Sequence, residues 1–188
     1  MQTFLPHPDY RKATQALDSR RLGRQIMESA LLLRGLRQGP TRADGRPTPW
    51  YHHPASLMWR GYEGALAEYA LACCHEWRRR MTTPRVEEAE IAVACAKGDP
   101  APPPWLDDSR FHAGHRGHLY RKDSEQYAAF VADANAQLLY PAPNAIGGFC
   151  LVERLDVGVF RVLAIPPDSG PHPTSSSVRG AVKAAWRV

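Results

Sequence analysis

Between Pro54 and Arg80 the apolar residues Met58, Tyr62, Leu66, Tyr69, Cys73 and Trp77 recur at steps of three and four. That period belongs to a helix with one face in a core, not to a strand or a binding surface. Pro54 suits the first turn of such a helix. Arg78, Arg79 and Arg80 suit its C-terminal end, where cations complement the helix dipole; DNA contact is the second reading of the three arginines. The same period runs from Leu22 through Ile26 and Leu33 to Leu36, with Asp18 as N-cap and Gly39-Pro40 as the stop. A shorter helix with an acidic start is expected over 85–97. The link DPAPPPW excludes helix, and Asp107 or Asp108 then caps a fourth, interrupted helix from about Ser109 to Leu139.

Residues 1–16 read as extended, because Pro6 and Pro8 restrict their neighbours. A polar loop fills 40–49. Beyond Pro141 the segment FCLVERLDVGVFRVLAI is β-branched and apolar, which predicts one or two short strands. From Pro166 the composition PPDSGPHPTSSS predicts a mobile tail. The expected fold is mainly α: a compact single-domain helical bundle, residues 1–140, with a divergent and partly mobile β-like C-terminal extension, residues 141–188.

The chain has 188 residues, 44% of them hydrophobic, enough for a packed core. No run of about 18 apolar residues would span a bilayer. MQTFLPHPDY lacks the basic and apolar regions of a secretory signal. Cys73, Cys74, Cys95 and Cys150 form no CxxC pair, so a reduced, cytoplasmic protein is expected.

Charge is unevenly placed. Residues 1–46 hold nine Arg and Lys against four Asp and Glu, which accounts for the whole net charge of +5. A basic N-terminal quarter on a neutral body points to phosphate, and arginine's planar fork grips phosphate oxygens in pairs. Within it, LDSRRLGRQIMES sets Arg21, Arg24 and Glu28 three and four residues apart, on one side of a helix. The plain reading of Glu28 is a surface partner of Arg24. The functional reading is a carboxylate among guanidinium groups, suited to a polyanionic substrate.

Other chemistries find less support. His112, His115 and His118 step by three, so on a helix their rings fan over about 120° and do not converge on one metal. They fit better as packing groups or, beside Arg116, Arg121 and Lys122, as phosphate donors. No GxSxG, P-loop or GxGxxG occurs. What remains is an amine and a carboxylate. An α-amine titrates near 7.7–8.0, so roughly a tenth of it is a free nucleophile at neutral pH. Held in a pocket, it can attack a sugar carbon while Glu28 moves protons.

The blocks MQTFLPHPDY, LDSRRLGRQIMES, WYHHPASLMWRGYEGALAEYALACCHEWRRR and PPWLDDSRFHAGHRGHLYRKD stand in an order that resembles the pyrimidine-dimer DNA glycosylases, the family of phage endonuclease V. The resemblance covers roughly residues 1–130. It implies a helical domain of the endonuclease V type. It also implies excision of damaged pyrimidines through an N-terminal α-amine, a Schiff base with the sugar and β-elimination, without metal or other cofactor. On this resemblance the catalytic groups are the α-amine of Met1 and the carboxylate of Glu28. In the phage enzyme the initiator methionine is removed; here Gln2 is too large for ordinary removal, so Met1 is expected to stay. The expected DNA contacts are Arg20, Arg21, Arg24, Arg116, Arg121 and Lys122, of which Arg21 and Arg24 match the family's basic residues only loosely. The partner is double-stranded DNA carrying damaged pyrimidines, bound by a monomer in the nucleoid. The departure is C-terminal: where the phage enzyme ends in an aromatic-rich segment, this chain has Tyr140 followed by PAPNAIGGFC. That change motivates an alternative, a non-catalytic DNA-binding module with the same fold. A third reading is a metal-dependent hydrolase using His112, His115 or His118.

Overall fold

The computed structural model describes residues 2–143, 149–156 and 159–164. Met1 and the tail from Pro166, expected to be mobile, lie outside the described residues. The fold is mainly helical: six α-helices and one 3₁₀-helix against three strands among the described residues. Contacts divide the chain into two compact units, Met1–Tyr51 with Trp59–Leu106, and His52–Met58 with Asp107–Val188. The second unit runs across the boundary expected at 140/141.

In the first unit, α1 (Tyr10–Gln15) is followed by α2 (Ser19–Gln38). The expected extended entry is shorter than 1–16, because Pro8 is followed by an N-cap: the Asp9 side chain accepts from the Lys12 amide at 2.9 Å and starts α1. Asp18 caps α2 as expected, accepting from the Arg21 amide, and Gly39 closes it at φ +75.

The helix expected from Pro54 to Arg80 is two helices, α3 (Pro54–Trp59) and α4 (Glu63–Arg80). The chain turns at Gly61, φ +83, a left-handed conformation that a side chain disfavours, and the Tyr62 amide closes back on the Trp59 carbonyl. Within α4, Leu66, Tyr69 and Cys73 of the apolar stripe are fully buried. They pack with Leu22, Ile26 and Leu33 of α2 in the core, each at most 1% exposed. Gly23 lets α2 approach: a β-carbon there would lie 3.0 Å from the Trp77 ring. α5 (Glu88–Lys97) packs on α4. The proline link then returns over Gly64, where a β-carbon would overlap the Asp99 carbonyl.

In the second unit, Asp108 caps α6 (Ser109–Lys122), accepting from the Arg110 amide at 2.9 Å. The interruption expected beyond it is real: α6 stops at Asp123 and a 3₁₀-helix covers Ala128–Asp133. Gly114 and Gly117 make room for this return. A β-carbon on either would overlap a carbonyl, of Gln137 or Asp133 respectively. Then β1 (Leu139–Pro143), β2 (Phe149–Asp156) and β3 (Val159–Ala164) form an antiparallel sheet in chain order. The strands expected in FCLVERLDVGVFRVLAI are β2 and β3; β1 is additional. Its prolines, Pro141 and Pro143, hide it from pattern reading, yet they fit an edge strand, which has one side free of ladder bonds.

Candidate active site

Helical spacing places Gln25 and Glu28 one turn apart on α2, and the N-terminal segment Gln2–Leu5 is buried beside them. The Gln2 amide donates to Glu28 Oε2 at 3.0 Å. Gln25 Nε2 donates to the Gln2 carbonyl at 2.9 Å, while Gln25 Oε1 accepts from the Phe4 amide at 2.8 Å. One side-chain amide thus pairs two alternate backbone groups, as a neighbouring strand would. The Tyr69 hydroxyl stands 2.9 Å from the Phe4 carbonyl and 2.8 Å from Gln25 Oε1, and its single proton serves both. Burial holds Tyr69 well above its ordinary pKa, so it stays a neutral donor. On the other face of the segment, Trp59 Nε1 donates to Thr3 Oγ1 at 3.0 Å. Trp59 itself stacks on Tyr69 and meets the Trp105 ring edge-on, at centroid distances of 6.2 and 5.0 Å.

The result is a chain end fixed at five backbone or side-chain points, four of them against the buried Gln25, Trp59 and Tyr69. Glu28 is half-buried and forms no ion pair with Arg24 among the described residues. Its observed partner is the Gln2 amide, so the surface-pair reading of Glu28 does not hold. The other catalytic candidate, Met1, lies outside the described residues.

The expected basic contacts divide by what already holds them. Arg20 and Arg24 are exposed on α2 and have no ion-pair partner among the described residues. Arg21 turns back to the N-cap instead, with Nη1 at 2.6 Å from Asp18 Oδ2. In the second unit Lys122 is exposed. Arg116 pairs with Asp133 at 2.6 Å, and Arg121 Nη1 donates to the Ala134 and Ala136 carbonyls at 2.5 and 2.9 Å. Those two arginines tie α6 to the 3₁₀-helix and to the turn at Ala134–Ala136. The triple arginine is also engaged. Arg78 pairs with Glu88, and Arg79 and Arg80 both pair with the buried Glu76, whose carboxyl the Arg79 bonds hold below its usual range. Arg80 further donates to the Leu17 and Gln15 carbonyls, at 2.6 and 3.1 Å, anchoring the turn after α1.

His112 and His115 serve packing, while His118 is half-buried on the same helix. His115 is fully buried against Phe111, with ring centroids 4.3 Å apart, and His112 is 2% exposed against the same ring at 5.2 Å. Burial, then the neighbouring His112 and His118, hold His115 well below its ordinary value of 6.5. Among the described residues no group of three His, Cys, Asp or Glu side chains is placed to hold a metal ion. No helix there is long and apolar enough to cross a membrane.

Glu28 thus accepts from the second residue of the chain, on a helix whose Arg20 and Arg24 have no ion-pair partner among the described residues. Residues 1–87 match the family model of pyrimidine dimer DNA glycosylases. The match takes in every residue of the Gln2–Gln25–Glu28–Tyr69 network and supports a DNA glycosylase acting on DNA. No curated protein and no solved structure matches the chain.

Sequence reasoning missed the residues that position Gln2 and Glu28. Gln25 was legible in principle: it is a polar residue at a buried position, next to Ile26 and one turn from Leu22. The core stripe accounts for the ring of Tyr69, but its hydroxyl reaches the chain end.

Proposed function

We propose that the protein is a bifunctional DNA glycosylase and AP lyase that excises damaged pyrimidines, pyrimidine dimers foremost, from double-stranded DNA. The observation that carries this reading is the 3.0 Å bond from the Gln2 amide to Glu28. Covalent geometry keeps any α-amine within about 4 Å of the next residue's amide nitrogen. An amine on the residue before Gln2 is therefore tethered within reach of the Glu28 carboxylate.

The free amine attacks C1′ of the damaged nucleotide, and the glycosidic bond breaks with its electrons on the departing base. Protonation of O4′ opens the sugar ring and leaves an imine between the α-nitrogen and C1′. Glu28, positioned by Gln2, takes the proton that the attacking nitrogen loses, passes it to O4′, and as carboxylate again takes one from C2′. The electrons of the C2′–H bond form a C2′–C3′ double bond and expel the 3′ phosphate. Water then hydrolyses the imine, restoring the amine and leaving an unsaturated aldehyde on the DNA. This reaction needs no metal or cofactor. Arg20, Arg24 and Lys122 supply phosphate contacts, which set affinity and its salt dependence; Arg21, Arg116 and Arg121 contribute where their present partners allow. A damaged nucleotide is easier to unstack, so extrusion costs less at a lesion. We further place the enzyme in the cytoplasm at the nucleoid, as a monomer with Met1 retained.

The test is borohydride trapping across damaged duplexes, with mass spectrometry of the adduct. The expected product is DNA joined through the α-nitrogen of Met1. Binding to DNA without any trapped adduct, on dimer-containing or abasic duplexes, would support the non-catalytic module instead.

A further inference from the structure

Trp50 is 51% exposed and sits at φ +66, the one non-glycine residue among those described with a left-handed backbone. A bulky side chain in that region is strained, and such strain persists only where the surroundings impose it. Here they do. The Thr48 amide donates to the Pro40 carbonyl at 3.0 Å and the Tyr51 amide to the Thr48 carbonyl at 3.3 Å. Arg60 lies 4.2 Å over the Tyr51 ring and donates to the Tyr51 carbonyl at 2.9 Å. Thr48 and Tyr51, the ends of this turn, are thus fixed while about half of the Trp50 surface remains exposed.

The location connects this ring to the site. Thr48 and Pro49 pack against Gly35 of α2, whose β-carbon would lie 3.5 Å from the Pro49 carbonyl. Gly35 is seven residues from Glu28, two helical turns along the same face, about 10 Å or three base-pair steps. The same loop carries Arg46, and α2 ends with Arg37; both are exposed and neither has an ion-pair partner among the described residues. A half-exposed aromatic ring, on a loop that packs against the helix of Glu28 and itself carries an exposed arginine, has the chemistry of a base-stacking element.

We propose that Trp50 stacks on the bases beside the lesion and holds the duplex open while the damaged nucleotide is extruded. This rests on the glycosylase reading of the same unit. It makes Trp50 a positioning residue, needed for opening a stacked duplex and dispensable once the sugar is already exposed.

The test uses Trp50→Gly, which relieves the backbone strain while removing the ring, and Trp50→Phe, which keeps an aromatic face. Single-turnover cleavage is measured on a duplex with one cyclobutane pyrimidine dimer and on a single-stranded oligonucleotide with one abasic site. Tryptophan emission is followed on binding of a duplex carrying a tetrahydrofuran abasic analogue. Trp50→Gly is expected to cleave the dimer duplex about tenfold more slowly or worse, to cleave the single strand within about twofold of the parent, and to lose the emission quench. Trp50→Phe is expected to restore most of the duplex rate. Unchanged duplex cleavage by Trp50→Gly, equal losses on both substrates, or a quench that survives its loss overturns the proposal. Should the parent cleave neither substrate, the glycosylase reading fails, and the quench alone then decides whether Trp50 stacks on DNA.

Discussion

The Gln2 backbone amide and the Glu28 carboxylate meet at 3.0 Å across 26 positions of sequence. The bond couples the segment beginning at Gln2 to the middle of α2, so that segment and the carboxylate are not placed independently.

Glu28→Gln isolates the charge of this group. A glutamine keeps an oxygen for the Gln2 amide, so thermal stability should stay within a few degrees of the parent. Removing a general acid–base group should slow single-turnover cleavage by about 100-fold or more, while DNA affinity is retained. Parent-level cleavage in this variant would remove Glu28 from the mechanism.

Gln25→Ala tests the anchor instead. It leaves the Gln2 carbonyl and the Phe4 amide buried without that partner, which should cost about 2–4 kcal/mol in urea unfolding. Tyr69→Phe keeps the ring between Tyr10 and Trp59 and removes one hydroxyl, at a cost of about 1 kcal/mol. Adduct formation should slow in Gln25→Ala even where the folded fraction is complete. A stable variant trapping DNA at the parent rate would show that the segment needs no such clamp.

These two variants also mark where sequence reading ended. Asp18, Asp108 and Gly39 were legible because a cap is decided within one helical turn. Helical spacing singled out Glu28, but its Gln2 partner was not legible, because it lies 26 positions away across a long loop closure. The break at Gly61 was hidden because the apolar period continues through it, with Met58 and Tyr62 still four apart. The three arginines at 78–80 read as a dipole complement, whereas they are held by Glu76, Glu88 and backbone carbonyls; the pairing depends on which helices pack together. Trp50 gave no signal, because its backbone conformation is imposed by a loop whose ends are tied by Pro40 and Arg60.

Salt dependence separates free cations from engaged ones. Arg24→Gln and Lys122→Gln should each reduce the slope of log affinity against log salt by about 0.9. Arg116→Gln should change the slope less and lower stability instead, since it strands Asp133. Fluorescence anisotropy on one duplex at several salt concentrations reads the slopes directly.

His115 gives a pH signature. Its folded-state pKa lies below its ordinary 6.5, so the unfolded chain binds a proton that the folded chain refuses. Its contribution is complete above pH 6.5 and is lost as pH falls from there toward the depressed folded value. Glu76 acts lower, because its contribution is complete only above its ordinary 4.5 and is lost as pH falls through the depressed folded pKa. Urea midpoints between pH 7.5 and 5 should therefore decline. The decline should flatten in His115→Leu, compared with its own value at pH 7.5. An unchanged slope in that variant would place the titrating group elsewhere.

The buried seating of Gln2–Leu5 inverts ordinary laboratory practice. Chain starts are usually where tags and fusions do least harm. Here each added residue must leave from a segment bonded to Gln25, Tyr69, Trp59 and Glu28, and on the proposed mechanism it would also convert the nucleophilic amine into an amide. If the proposed mechanism holds, folded protein carrying an amino-terminal tag would bind DNA and yet pass for a non-enzyme.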